Sequence, residues 1–198
     1  MKNQTDLRII KTERNIREGF FKLLRQKPVE KITIREICET ACCSRNTFYA
    51  HYIDKDALYN QIVDECIRAI GGAFDPVIKH ASEVDDYVVE LHLSRLLAAI
   101  DSAKDTLRTL LSQGDVNVFY SRLTGALYQR LIRNGKRLSP TADANKGYQD
   151  SCMFMAAGVA GCVVFWMRAD SFDVDSAKAF LRPLMTSSFL YSAKCLEP

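Results

Sequence analysis

Arg45, Asn46 and Tyr49 are polar residues of a kind that reads nucleic acid, and their spacing turns them away from Phe48 and Tyr52. On a helix, Phe48 and Tyr52 lie four residues apart and share one face, while Arg45 and Tyr49, also four apart, share another. An Arg guanidinium can grip O6 and N7 of guanine together, Asn can read adenine or serve a phosphate, and a Tyr hydroxyl suits a phosphate oxygen. Phe48 and Tyr52 are expected to pack inward and hold this reading face outward.

Two short helices must position that set. Ile34, Ile37 and Ala41 recur at three- and four-residue steps behind a possible Thr33 cap, which predicts a first short helix with one apolar face. Ser44 can cap the second. Between them a tight turn must run through Cys42 and Cys43. Before the pair, Ile9, Ile16, Phe20, Leu23 and Leu24 follow a helical period from Asp6 to about Gln26, with Pro28 marking the exit. After it, Asp54 can cap a long helix carrying Leu58, Ile62, Cys66, Ile70 and Phe74 at four-residue spacing, which Gly71, Gly72 and Pro76 end or kink.

Further along, the pattern stays helical without strand alternation. Helical faces are expected over about 84–102, 106–113 and 116–134, followed by two closing helices at about 148–168 and 175–193. Asn134–Gly135 and the stretch 139–145 read as loops. The most apolar run, Cys152 to Met167, is shorter than the roughly 20 residues of a membrane span and reads as a buried helix.

Composition narrows the function classes. The 198 residues are 47% hydrophobic and 26% charged, enough apolar material for a core, and the net charge is only +3. The first 60 residues hold 12 Lys and Arg against 8 Asp and Glu, net +4, whereas the remainder holds 15 against 16, net −1. The basic excess therefore lies on the side of the two short helices. Seven cysteines, an odd number without regular spacing, and a charged N-terminus without a secretory pattern point to a reducing cytoplasm rather than a disulfide scaffold. A Gly-rich phosphate loop, a Gly-x-Ser-x-Gly elbow and a His-Glu-x-x-His pair are all absent, and His51, His80 and His92 stand at unrelated positions. No catalytic residue, metal site or cofactor is expected.

The N-terminal portion resembles the TetR/AcrR family of bacterial transcriptional regulators. The resemblance is carried by Ile34 to Cys38, the turn Ala41 to Ser44, the triplet Thr47-Phe48-Tyr49, the aromatic pair His51-Tyr52, and Lys55 to Leu58. Gly158, Gly161 and Trp166 near the end look like a variant of the family's divergent C-terminal domain. The sequence departs from the pattern in the turn, where Cys42 replaces the usual glycine and Cys43 the usual valine. A non-glycine residue there costs roughly 1 kcal/mol if the backbone is left-handed.

What the resemblance implies is an all-α protein: a three-helix helix-turn-helix head over 1–53, joined through a long fourth helix to an effector-binding and dimerisation domain over 54–198. The double-stranded DNA operator would be palindromic and bound by a homodimer, since one helix-turn-helix makes few contacts and two half-sites are read together. Arg45 is the candidate base reader, with Asn46 and Arg35 beside it; Thr47, Tyr49, His51 and Lys55 match phosphate-clamping positions, and Thr33 stands beside a helix N-terminus. The last two helices, about 148–193, would form the dimer interface through Gly158, Gly161, Val163, Trp166, Phe180, Leu184 and Phe189, with Val159 and Met167 adding apolar surface. An effector pocket, suited to a hydrophobic small molecule, would be lined by Tyr87, His92, Tyr120, Tyr128, Phe154 and Met155. Together these make a ligand-responsive repressor with no membrane partner. Two other readings are a thiol-based redox sensor through Cys38, Cys42 and Cys43, and a helical interaction module without specific DNA binding.

Overall fold

The structure, a computed structural model, describes residues 2–196. Among these are eight α-helices and no strand: α1 Lys2–Leu24, α2 Ile34–Thr40, α3 Arg45–His51, α4 Lys55–Gly72, α5 Asp86–Gln113, α6 Val116–Leu138, α7 Lys146–Arg168 and α8 Val174–Leu196. Short 3-10 turns occupy Val29–Lys31 and Ala81–Glu83. The all-helical expectation is met.

The chain forms two compact units, and the division falls within α4: Met1–Glu65 with Thr109–Asp115, and Cys66–Arg108 with Val116–Pro198. In the first unit Ile16, Phe20 and Leu24 of α1, Ile37 of α2, Phe48 of α3, and Leu58 and Ile62 of α4 are at most 1% exposed. Each such side chain contributes about 1.5–3 kcal/mol of burial, so two helices of seven residues, too short to persist alone, are held by this shared core. Arg17 of α1 forms a two-pronged ion pair with Glu65 of α4, one arm at 2.9 Å, which raises the guanidinium pKa further. Tyr59 lies against Gly114, where a Cβ would sit 2.0 Å from its hydroxyl; any other residue at 114 would push the ring away.

In the second unit α6 packs on α7 and α7 on α8. Leu93, Leu96, Ile100, Leu123, Leu127, Ala160 and Val163 form its centre. Two expectations need correction. The segments 84–102 and 106–113 are one helix, α5, because Ser102 to Asp105 contain no breaker and Leu107, Leu110 and Leu111 continue the buried face. Asn134–Gly135 is not a loop; α6 runs through it to Leu138. A Cβ at Gly135 would meet the Tyr148 ring at 2.4 Å, so this glycine serves a close helix contact rather than a turn.

α7 has 23 residues with a mean hydropathy of 1.6 over its most apolar window, so by length and composition it could cross a membrane. Its inward positions Cys152, Met155, Ala156, Val159, Ala160, Val163 and Met167 are instead buried against neighbouring helices, as the reading of a core helix expects.

Candidate nucleic-acid interface, cavity and apolar face

The helix pair is built from local signals that each satisfy a backbone group. Thr33 accepts from the Glu36 N–H at 3.3 Å, and Glu36 accepts from the Thr33 N–H at 3.0 Å, a reciprocal capping box that starts α2. Lys27 donates to the same carboxylate, and this hydrogen bond, followed by those from Thr33, holds the Glu36 pKa down at about 2. The Thr33 hydroxyl is itself 2.9 Å from Glu36 Oε2, so the side chain is committed to the cap.

The turn closes as a Schellman motif. Cys42 has φ 52°, its N–H reaches the Glu39 carbonyl at 3.3 Å, and the Cys43 N–H reaches the Cys38 carbonyl at 3.0 Å. This is the left-handed position glycine prefers, so the expected cost of Cys42 applies. The motif also brings the Cys43 thiol against that of Cys38. Burial first, then Cys38, pushes Cys43 up to about 11, which leaves little reactive thiolate at neutral pH.

Ser44 caps α3 by accepting from the Thr47 N–H at 3.0 Å, and the Ser44 and Thr47 hydroxyls lie 2.8 Å apart. Phe48 is fully buried and Tyr52 is 4% exposed, with the Tyr52 hydroxyl donating to Glu13 at 3.3 Å. Burial, reinforced by the Glu13 charge, raises the Tyr52 pKa to about 12. With these two fixed inside, Arg45 and Asn46 stand exposed, without an ion-pair or hydrogen-bond partner among the described residues. Tyr49 is 54% exposed and meets the Phe48 ring edge-on, with centroids 5.7 Å apart. His51 is half-buried against Tyr52, with ring centroids 6.3 Å apart.

Two expected contacts have prior engagements. Arg35 pairs with Glu39 at 2.7 Å, both exposed, an ion pair weak enough for a phosphate or base to displace. Lys55 differs. Its ammonium donates to the carbonyls of Val29, Glu30 and Ile32 at 2.7, 2.9 and 2.8 Å. An ammonium has three N–H donors, and all three are spent on the segment that leads into α2. The geometry makes Lys55 a staple between the start of α4 and the approach to α2, where sequence reasoning expects a phosphate clamp.

In the second unit, Phe74, His92, Leu131, Tyr148, Met155 and Phe189 are among the residues enclosing a cavity of about 80 Å³ within a wider cleft. Of the six residues expected to line a pocket, His92 and Met155 do so. Tyr87 and Phe154 are 73% and 65% exposed, Tyr120 lines a separate open groove with Arg168, and Tyr128 is half-buried outside the cavity wall. α7 is apolar on most of its circumference, so periodicity could not distinguish the outward Phe154 from the inward Met155. Phe74, Tyr148, Cys152 and Phe189 also line the cavity; Gly135 was the available signal for Tyr148, since a glycine inside a helical run marks a close neighbour.

The cavity's polar groups are nearly all satisfied. The Tyr148 hydroxyl donates to the Leu131 carbonyl at 2.8 Å, Asn134 Nδ2 donates to the Phe74 carbonyl at 2.5 Å, and the Ser192 and Ser151 hydroxyls lie 2.8 Å apart. Burial pushes the Tyr148 phenol pKa up and the Cys152 thiol up to about 11, so both stay neutral. His92, 4% exposed, bonds the Ala73 carbonyl through Nδ1 at 2.7 Å, and burial lowers its pKa.

α7 and α8 carry an apolar outer face. Phe154, Gly158, Gly161 and Phe165 repeat at steps of four, three and four on α7, and Phe180, Leu184 and Tyr191 fall on the same rhythm on α8. Phe165 is 66% exposed and Phe180 54%. A groove of about 450 Å³ is floored by Gly158 and Gly161 and walled by Phe165, Trp166 and Phe180. Among the expected interface residues, Val163 is fully buried within the chain and Phe189 lies against His92 at 5.2 Å; Val159 and Met167 are likewise buried. These four point inward because they fall on the opposite side of α7 and α8 from the phenylalanine stripe.

Comparison with known proteins agrees with this architecture. Residues 16–62 match the family described as bacterial regulatory proteins, tetR family. An uncharacterised HTH-type transcriptional regulator, YxbF of Bacillus subtilis strain 168, is 28% identical over 68 residues, 34% of this chain but 18% of that protein. The match thus spans under a fifth of the curated relative. A TetR transcriptional regulator from Streptococcus agalactiae 2603V shares the fold at a TM-score of 0.61 and 19% identity, over 93% of this chain and 99% of that one. The TetR family repressor AlkX from Dietzia sp. strain DQ12-45-1b, implicated in biodegradation of n-alkanes, does so at 0.53 and 16%, over 94% and 98%. Residues 16–62 thus match the helix-turn-helix of the tetR family of bacterial regulatory proteins, and nearly the whole chain shares the fold of solved TetR regulators.

Proposed function

We propose that the protein is a homodimeric, ligand-responsive repressor that works in the cytoplasm, binds a palindromic operator through α3, and is released by a small molecule bound in the α5–α8 unit. The observation that carries the reading is the outward face of α3: Arg45 and Asn46 without partners, and Tyr49 exposed on the same short helix. Arg45 reads guanine, Asn46 reads a base or a phosphate, and Thr47, Tyr49 and His51 hold the backbone, with Arg35 joining after release from Glu39. Thr33 orients α2 through its cap, and Lys55 contributes by stapling. A regulator of this design needs no metal, cofactor or catalytic group.

The apolar stripe on α7 and α8 supports pairing with a second copy. A Cβ built at Gly158 or Gly161 meets nothing within 4 Å in the single chain, so the fold of one chain gives no reason for either glycine. Two glycines inside a helix cost about 1 kcal/mol each relative to alanine, a cost that close approach of a partner helix offsets. The raised Cys43 pKa speaks against that thiol as the sensing group, and the free reading face against a module without DNA binding.

The test is a gel-shift with DNA from upstream of the protein's own gene. Specific retardation that survives excess unrelated competitor, and falls steeply with salt, is the expected result. Retardation indifferent to sequence would overturn the reading.

A further inference from the structure

We infer that the cavity of the second unit takes a small, neutral, ring-shaped alcohol of the phenol type, whose hydroxyl donates a hydrogen bond to His92 Nε2. This rests on the reading of the cavity as the effector site and supplies the chemical class that reading leaves open.

The argument begins with the His92 tautomer. The Ala73 carbonyl can only accept, so the 2.7 Å contact places the proton on Nδ1 and leaves Nε2 an acceptor. Phe74 stacks on the imidazole with centroids 6.2 Å apart and an interplanar angle of 15°, and Phe189 lies at 5.2 Å. With Nδ1 turned to Ala73 and phenylalanines against the ring, the edge left to face the cavity is the one bearing Nε2. That nitrogen has no partner among the described residues, on a side chain 96% buried. Nε2 is not itself among the buried atoms left without a partner, so it stays open to the cavity space, and a ligand hydroxyl would take the place of water as its donor within an apolar wall.

The remaining wall decides what else the ligand carries. The Tyr148 hydroxyl proton is spent on the Leu131 carbonyl, Asn134 commits one Nδ2 hydrogen to the Phe74 carbonyl, and the Ser192 hydroxyl shares a hydrogen bond with Ser151. The other lining groups are apolar or are thiol and thioether sulfurs, and no Asp, Glu, Lys or Arg is among them. An anion would find no countercharge and a cation no carboxylate, so charged molecules stay in water. The size sets the scale: about 80 Å³ is smaller than the roughly 150 Å³ cavity that admits benzene, and Met155, flexible at three bonds, is the wall residue best able to yield room for one ring. Occupancy also bears on regulation, because the Ala73 carbonyl held by His92 follows directly after α4.

The test titrates the full-length protein with phenol, with toluene as its isostere lacking the donor, and with benzoate and benzylammonium as charged analogues. Calorimetry is expected to show phenol binding about tenfold more tightly than toluene, and the ions not at all. The preference should vanish in His92→Phe. Because that variant could fold poorly, the wild-type ¹⁵N signal of His92 Nε2 provides a second measurement: it begins as an unprotonated nitrogen and should shift on adding phenol but not toluene. Equal binding of phenol and toluene, binding of benzoate in the cavity, or an unmoved Nε2 signal would overturn the ligand class. Operator affinity separates the two readings. Phenol that binds at His92 yet leaves operator affinity unchanged supports the ligand class and refutes the effector role; toluene that binds as well as phenol and releases the operator does the reverse.

Discussion

Arg45 and Lys55 are both cations of the DNA-reading unit, yet the contacts around them predict different phenotypes. Arg45 is exposed without a partner, so Arg45→Ala should leave thermal stability unchanged and lower discrimination at one operator position by about 1–3 kcal/mol, read by gel-shift on a set of singly altered sites. Lys55 has given its three donors to Val29, Glu30 and Ile32. Lys55→Ala should therefore lower the melting temperature and weaken all sequences alike, while the slope of log affinity against log salt keeps its wild-type value. A slope reduced by about one would return Lys55 to the phosphate contacts. His92 makes a third residue-scale prediction, about pH. Its folded pKa is lowered, chiefly by burial and also by Arg95, against opposing contributions from the Ala73 hydrogen bond and Asp75. The unfolded chain, titrating near 6.5, then binds more protons than the folded one below that pH, so stability is full above 6.5 and falls as the solution is acidified toward the folded pKa. Denaturant unfolding of wild type and His92→Phe between pH 5 and 8 should show this slope in the wild type and its reduction in the variant.

At the scale of elements, the turn between α2 and α3 is where the chain carries a removable strain. Cys42 occupies the left-handed position of the Schellman motif with φ 52° and is exposed, so Cys42→Gly removes the Cβ conflict without opening a cavity. The variant should gain up to about 1 kcal/mol in denaturant unfolding, offset in part by the greater entropy of glycine in the unfolded chain. A loss of stability would mean that the Cys42 side chain makes a contact worth more than the strain. This turn, the Thr33 and Ser44 caps and the inward Phe48 and Tyr52 were legible in the sequence because each is a local rule: a polar cap, a four-residue spacing, a position that wants glycine. What was illegible depended on neighbours distant in the chain. The glycine of α6 resembles a loop signal until Tyr148 is laid over it. α7 is apolar almost all round, so its pattern could not say that Val163 faces the core and Phe165 the outside. The Lys55 staple needs three carbonyls more than twenty residues away, which no motif around position 55 records.

For the whole molecule, the decisive quantity is whether the phenylalanine stripe of α7 and α8 is covered. Phe154, Phe165 and Phe180 are each more than half exposed in a single chain, and Gly158 and Gly161 leave open space between them. Apolar area contributes about 25 cal/mol per Å² when removed from water, so such a face on an isolated chain invites association. A twofold pairing would lay the same stripe of two copies together and let each Phe165 enter the groove floored by the other copy's glycines. Gly158→Leu, whose Cβ meets nothing within 4 Å, fills that groove from within, and Phe165→Ser removes the projecting ring. Each variant should keep the wild-type helical content, since neither site contributes to the monomer core. In sedimentation velocity at micromolar concentration the wild type is expected to run as a dimer and the double variant as a monomer. Operator binding should then weaken by orders of magnitude, because the two reading heads lose the link that makes their contacts act together. A double variant that remains dimeric would show that copies meet through another face, and would leave the two glycines of α7 without the explanation given to them.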